Sequence, residues 1–139
     1  SSKKDGLFVN NSDKMVCKIS ITTTVDGEET QATRTGSLRI SFSEILLSYG
    51  EENGEVTLSI QNDRAEITRS GDYSMFLPLH RERRTQGKIG VLGSEGGVEI
   101  DTKRLAYSTT DTSLMLSMHY DLIFGSDVQK MQIRLLARS

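Results

Sequence analysis

The strongest candidate for binding chemistry in this chain of 139 residues is a single arginine, Arg69, in a segment where polar and apolar residues alternate. Arg69 shares one side of that segment with Ala65 and Ile67. An arginine that faces an interior is costly unless it pairs with a carboxylate or meets a ligand anion. Two roles are therefore open: a bidentate clamp for a ligand carboxylate or phosphate, and a structural arginine that pairs internally with Glu51 or Glu52 or reaches solvent from the strand end.

Five more residues lie on the apolar sides of their segments and are predicted to line the same interior. They are aromatic or sulfur-containing side chains, which form adaptable pockets: Tyr49, Tyr73, Met75, Met118 and Tyr120. Together with Arg69 they are the predicted ligand-binding residues. Ordinary core packing explains the same pattern, because a small barrel either fills with side chains or keeps room for one ligand.

No arrangement of residues predicts catalysis or metal binding. Ser117, His119 and Asp121 alternate along one segment, but side chains two residues apart in a strand stand about 7 Å apart. That spacing is too long for a direct hydrogen bond between a nucleophile and its base. His80 is distant in sequence from His119, and no cysteine between them completes a zinc-binding pattern. We therefore expect a protein that is not an enzyme, with no catalytic residues, no metal and no cofactor.

Two further stretches could contact phosphate. The glycines between residues 87 and 93 lack the spacing of a phosphate-binding loop, and no helix follows them, so they favour a bent strand. The basic loop from His80 to Arg84 has no aromatic side chain beside it on which a base could stack. We do not expect nucleic acid as a partner. A solvated loop, or a salt-bridge patch between the subunits of a homodimer, is the alternative role of this loop.

The elements that must position these residues are ten short alternating segments separated by turns. Val56, Leu58 and Ile60 form the clearest alternation, and Asp26-Gly27 and Asn53-Gly54 are hairpin signals. Gly36 interrupts a more polar segment and indicates a bulge or bend. Consecutive hairpins with short turns predict an all-β fold, a single closed antiparallel up-and-down β-barrel of eight to ten strands.

Composition is consistent with one small domain in a reducing compartment. The 17 basic and 19 acidic residues nearly cancel, so no long-range field recruits nucleic acid or an anionic membrane. The single cysteine, Cys17, cannot form an internal disulfide. No apolar run is long enough to span a membrane, and no basic segment leads into a signal-type apolar core. We expect a cytoplasmic protein with no membrane contact, a loosely ordered N-terminal arm over residues 1–13 and one barrel domain over residues 14–138.

Several strings, in order along the chain, resemble the YwiB-like bacterial family. They are Ser48-Tyr49-Gly50-Glu51-Glu52, Arg69-Ser70-Gly71, Gly97-Val98-Glu99-Ile100-Asp101-Thr102 and Met118-His119-Tyr120-Asp121-Leu122. The resemblance covers roughly Met15 to Leu136. It implies a calycin-like barrel, related in shape to lipocalins and fatty-acid carriers, in a family without an established biochemical role. It supplies no catalytic residues. Gly50 and Leu92 depart from the pattern, since both stand where an aromatic residue is expected.

The sequence therefore predicts a bacterial, calycin-like barrel that binds a small, hydrophobic or amphipathic molecule in its interior, with Arg69 as the polar anchor. The alternative is an interaction or scaffold protein with a solid core, whose outer face, at the His119 strand or the basic loop, meets a partner or a second copy. A nucleotide contact through residues 80–84 ranks behind both. A connected interior space of about 300 Å³ or more near Arg69 would favour the carrier.

Overall fold

The computed structural model describes residues 13–139, so the predicted N-terminal arm lies outside the described residues except for Asp13. The regular structure of the described part consists entirely of strands, with no helix that could cross a membrane. Alternating residues and tight turns account for this, since most of the turns contain a glycine, asparagine or aspartate that permits a sharp reversal, those after β2 and β6 excepted. The ten strands are β1 (Met15–Val25), β2 (Glu28–Ile40), β3 (Ile45–Glu51), β4 (Gly54–Gln61), β5 (Arg64–Gly71), β6 (Tyr73–His80), β7 (Thr85–Val91), β8 (Ser94–Thr110), β9 (Ser113–Phe124) and β10 (Asp127–Arg138).

Each strand pairs antiparallel with its neighbours in sequence, and β1 also pairs with β10, which closes the barrel. The closing ladder runs from Lys18 opposite Arg138 to Val25 opposite Met131. Closure leaves no edge strand with unpaired backbone groups. The predicted all-β fold, a single closed antiparallel up-and-down barrel, is confirmed, and its strand count is ten.

The alternation places one side of every strand in a shared core. In β1, Cys17, Ile19 and Ile21 are buried while Lys18 and Ser20 are exposed, as the period of two predicts. The same holds for β4 and β9. The two ends of the interior differ in composition: one is aliphatic, and the other contains arginine and tyrosine side chains. The candidate site lies at the second end.

The apolar end lies where the β2–β3, β4–β5, β6–β7 and β8–β9 turns are found. The side chains that fill the interior there are aliphatic and nearly or fully buried: Leu38, Ile45, Ile60, Ala65, Leu79 and Leu114. The polar end lies at the opposite turns, which join β1–β2, β3–β4, β5–β6, β7–β8 and β9–β10. Arginine and tyrosine side chains enter the interior at this end.

Of the bulge or bend predicted at Gly36, the bulge is wrong. The register runs without interruption through Gly36, which lies opposite Cys17 in β1 and Tyr49 in β3. Gly36 is needed for close approach instead, because a Cβ atom there would overlap the Ser48 carbonyl oxygen. The register shift of the barrel lies in β8, between Thr102 and Arg104.

Candidate functional site

Arg69 lies on the inner side of β5 near the polar end and is only 4% exposed. Its Nε donates a hydrogen bond to Glu51 Oε1 at 2.8 Å, and Nη2 donates to the Glu52 carbonyl oxygen at 3.4 Å. Its Nη1 donates to the Tyr73 carbonyl oxygen at 2.7 Å and lies 2.9 Å from Asp72 Oδ1. Every guanidinium nitrogen therefore has an acceptor within the chain. The hydrogen bond to Glu51 is the main cause that raises the pKa of Arg69.

The Arg69 guanidinium is also closely packed by its neighbours. The Tyr73 ring lies against it, with 3.7 Å between Arg69 Cζ and the ring centroid. Gly54 lies close to the same group, and a Cβ atom at Gly54 would overlap the guanidinium. These residues form the Arg69 corner, which comprises Glu51, Gly54, Arg69, Asp72 and Tyr73. The geometry is that of an internal ion pair with Glu51, one of the two roles open to Arg69 from sequence.

Tyr49 and Tyr120 lie inside the barrel toward the polar end. Burial, together with the charge of Glu51, raises the pKa of Tyr49 to about 12. Tyr120 is 2% exposed, and its pKa is raised further. The larger cause is burial, and the smaller is the charge of the nearby Tyr49. Thr102 stands opposite Tyr120, and its Oγ1 is buried without a hydrogen-bond partner in the described part of the chain. Polar groups with spare hydrogen-bonding capacity therefore face this part of the interior.

Sequence reasoning missed a second inward-facing arginine, Arg34 in β2. It lies opposite Ile19, a fully buried residue of β1, and shares its side of β2 with Gly36 and Leu38. The side chain is half-buried, and its Nε is buried with no hydrogen-bond partner among residues 13–139. The described carboxylates form no ion pair with it. The parity of β2 could have revealed Arg34, but the polar composition of that strand left its inner face unassigned.

The remaining predicted ligand-binding residues are distributed between the core and the rim. Met118 is 2% exposed and belongs to the core, whereas Met75 is half-buried and packs against it. Tyr73 is 38% exposed because it begins β6 at the rim, where its ring lies against the Arg69 guanidinium. The structure therefore brings Tyr49, Tyr120 and Arg69 toward one end of the barrel together with the unpredicted Arg34.

The other motifs lie on the outer face. Ser117, His119 and Asp121 are half-buried and alternate with the core residues of β9, so they face outward. In the basic loop and beside it, Arg81 pairs with Asp63 at 3.0 Å, and Arg84 pairs with Glu99 at 3.2 Å. Within the described residues, no group of three or more histidine, cysteine, aspartate or glutamate side chains could hold a metal ion.

Two cavities stand out in the described part of the chain, and both open on the outer surface. One, of about 500 Å³, lies across β8, β9, β10 and β1. The other, of about 220 Å³, is lined by polar residues of β4 and β5 and by Glu44. Neither opens at Arg69, so the interior space that would favour a carrier is not among them.

The fold and the polar end of the interior define a class: a closed ten-stranded barrel with a solid apolar end and two arginines facing the other end. The chain belongs to the family described as "Domain of unknown function (DUF1934)", whose model matches residues 16–135. Together with the solved structure described next, this match confirms the resemblance to a YwiB-like family of unknown function.

A solved structure supports the same fold. The chain is similar to the crystal structure of the ywiB protein from Bacillus subtilis, with a TM-score of 0.80 and 16% sequence identity over 91% of this chain and 92% of that chain. At this identity the likeness shows the fold alone, which is consistent with the expected calycin-like architecture. No curated protein matches the chain.

Proposed function

We propose that this protein is a non-enzymatic, cytoplasmic barrel that binds a small, partly apolar anion at the polar end of its interior. The anchor in this proposal is Arg34, and Arg69 has a supporting role. The observation that carries the proposal is the buried Arg34 Nε, which has no hydrogen-bond partner in residues 13–139. A buried donor on a charged group loses its hydration without compensation, and a ligand carboxylate or phosphate would supply the missing acceptor.

The two arginines differ in what they can offer a ligand. Arg69 already donates to Glu51 and to two backbone carbonyl oxygens, so an incoming anion would have to displace these partners. Arg34 has no such partner to displace within the described residues. In this proposal Arg69 holds the corner at the end of β3, and Arg34 contacts the ligand.

The surroundings of Arg34 support a ligand with both a charged and an apolar part. Tyr49 lies close enough for the charge of Arg34 to lower its pKa slightly against the larger effect of burial. Its hydroxyl and the unpartnered Thr102 hydroxyl are further polar groups on the interior side. The apolar residues near this end are only partly buried, which leaves them open to contact with a ligand: Tyr49, Met75, Ile89, Met131 and Ile133.

Ligand discovery is the first test. We expect native mass spectrometry of gently purified protein to show an adduct, and organic extraction to recover an organic acid. A panel of fatty acids and aromatic carboxylates should contain members that raise the Tm, because binding to the folded state alone stabilises it. If no adduct appears and no member of the panel moves the Tm, the proposal fails for these ligand classes.

A matched pair of variants tests the anchor. Arg34→Gln should abolish the Tm shift caused by the best member of the panel, because it removes the interior charge that has no carboxylate partner among the described residues. Arg39→Gln is the control, because it makes the same change on the outer side of the same strand. An equal Tm shift in wild-type, Arg34→Gln and Arg39→Gln proteins would show that the ligand binds elsewhere.

The interaction or scaffold role is a second candidate, favoured by the solid apolar end and by cavities that open on the outer surface. A homodimer through the basic loop from His80 to Arg84 is one form of it. Light scattering across a concentration series distinguishes a monomer from such a dimer, and a monomer throughout would remove the homodimer.

A further inference from the structure

We infer that the outer face of the barrel carries a second, independent binding site, for a small amphipathic organic anion. The site is the outer groove, a cavity of about 500 Å³ formed by outward-facing side chains of β8, β9, β10 and β1. Sites for small organic molecules have volumes of about 300–1,000 Å³. The residues that carry the inference are Ser20, Arg104, Met115, Ser117, Arg134 and Leu136.

Two arginines line the outer groove. Arg134 in β10 stands directly opposite Ser117 in β9, and Arg104 in β8 donates a hydrogen bond from its Nε to Ser117 Oγ at 3.2 Å. Arg104 therefore contacts the Ser117 hydroxyl from one neighbouring strand, and Arg134 lines the same groove from the other. The register shift in β8 immediately precedes Arg104, and it changes which residues of that strand face outward.

The two arginines of the outer groove have no carboxylate counterion in the described part of the chain. None of the ion pairs formed there includes Arg104 or Arg134, although Arg69, Arg81 and Arg84 all pair with carboxylates. No acidic residue lines the outer groove. Two like charges that line one groove repel each other, and an anion bound between them would offset that repulsion through charge-assisted hydrogen bonds.

Apolar side chains lie beside this charged position on the same face. Leu136 is opposite Met115, and these residues are two positions along their strands from Arg134 and Ser117. Two residues of a strand span about 7 Å. Met115 is 59% exposed, although it is large and apolar. The outer groove therefore offers an anionic group and an apolar body two adjacent positions about 7 Å apart.

A second copy of this chain does not fit the outer groove. A symmetric dimer would place this face against itself, so that Arg104 and Arg134 of each copy would approach the same two residues of its partner. Four guanidinium groups would then meet without a described carboxylate between them, which is unfavourable in an interface. The complementary occupant is a molecule that brings a negative charge.

The probe is naphthalene-2-carboxylate, and its neutral carboxamide serves as the matched control ligand. Each is titrated into the ¹⁵N-labelled full chain, and the amide signals report both affinity and location. We expect saturable shifts in β8, β9 and β10 around Ser117 with the carboxylate and much weaker shifts there with the carboxamide. This site does not depend on the proposed interior function, since an interior ligand would shift signals around Arg34 instead.

Variants then assign the binding energy. The double variant Arg104→Gln/Arg134→Gln should raise the Kd for the carboxylate at least tenfold and leave the carboxamide unaffected. The control double variant Arg39→Gln/Arg138→Gln makes the same charge change at other outward-facing positions and should change the Kd less than threefold. All four arginines are at least partly exposed, and the dispersed amide spectrum confirms that each variant folds.

Three results would overturn the inference. The first is no saturable shift around Ser117 in the wild-type protein. The second is equal affinity of the wild-type and Arg104→Gln/Arg134→Gln proteins for the carboxylate. The third is carboxylate shifts that are confined to the polar end and lost in Arg34→Gln, which would support the proposed interior function and assign the ligand to that site alone.

Discussion

Arg34 and Arg69 both face the barrel interior toward its polar end, but the two regions around them differ in hydrogen bonding. Arg69 has an acceptor for each nitrogen, an aromatic ring against its guanidinium and a glycine on β4 that leaves room for it. Arg34 has a buried Nε with no partner among the described residues. The hydrogen bonds of Arg69 are complete within the protein. The Arg34 Nε, in contrast, could still donate a hydrogen bond to a ligand.

This difference shows why an inward charge alone does not identify a binding site. The cost of burying an arginine is removed either by the protein itself or by a ligand, and only a count of hydrogen-bond partners separates these cases. The two ends of the barrel differ in the same way, since the aliphatic side chains of the apolar end need no hydrogen-bond partners. The following predictions test these contrasts.

The largest effect is expected in the apolar end. Leu38→Ala should lower the free energy of unfolding by about 2–5 kcal/mol, because Leu38 is fully buried and its removal leaves a cavity. Met75→Ala at the polar end should cost less, because Met75 is half-buried and water reaches it. Denaturant unfolding of both variants measures the difference. Equal losses would show that the two ends are packed alike.

The next largest effect separates the two arginines. Arg69→Met should lower the Tm markedly, because it leaves Glu51 and Asp72 without their partner. Arg34→Met should leave the Tm unchanged or raise it, because the Arg34 Nε donates no hydrogen bond to any described residue. Thermal unfolding followed by circular dichroism compares them at one pH.

A second substitution checks the cause of the Arg69 effect. Arg69→Met/Glu51→Met should recover part of the lost Tm, because the carboxylate that was left unpaired is removed as well. Equal Tm losses for Arg69→Met and Arg34→Met would contradict the contrast between the two regions.

The smallest effect concerns Tyr49 at alkaline pH. Its folded-state pKa of about 12 lies above the ordinary value of 10.0, so the folded state holds the phenolic proton more tightly. The resulting stability is present below about pH 10 and is lost as the pH rises toward 12. At pH 11 the loss should be about 1.4 kcal/mol, as two pKa values separated by about two units require.

Urea unfolding at pH 8 and pH 11 measures this loss, and Tyr49→Phe should reduce it. Tyr120 shifts in the same direction, so part of the alkaline loss should remain in that variant. An unchanged pH dependence in Tyr49→Phe would mean that the Tyr49 hydroxyl is more accessible to water than its burial indicates.

The local features that sequence predicted well are those set by neighbours along the chain. The period of two places Val56, Leu58 and Ile60 together on the buried side of their strand, because successive side chains point to opposite faces. The same reasoning turns Arg69 inward. The alternation does not predict the inner side of β8 beyond Thr102. The register shift there places Leu105 in the interior, although it is an odd number of residues from the buried Ile100.

The candidate site was only partly predictable. Glu51 was among the expected partners of Arg69, but Asp72 and the Tyr73 ring were not, since their contacts depend on how the β5–β6 turn folds back. Arg34 was missed because its strand has few apolar residues to mark the inner face. The outer groove was beyond any local pattern, since it joins β1 to β10 and combines residues such as Ser20 and Leu136.

The sequence by itself determined the all-β architecture, the hairpin order and the inward direction of Arg69, because turn chemistry and alternation act over a few residues. The tertiary structure alone decided the partners of Arg69, the lack of a described partner for the Arg34 Nε and the placement of Arg104 and Arg134 on either side of Ser117. These outcomes depend on register and closure, which place distant residues side by side. Whether a buried charge is satisfied is therefore a property of the closed barrel, and no single strand carries it.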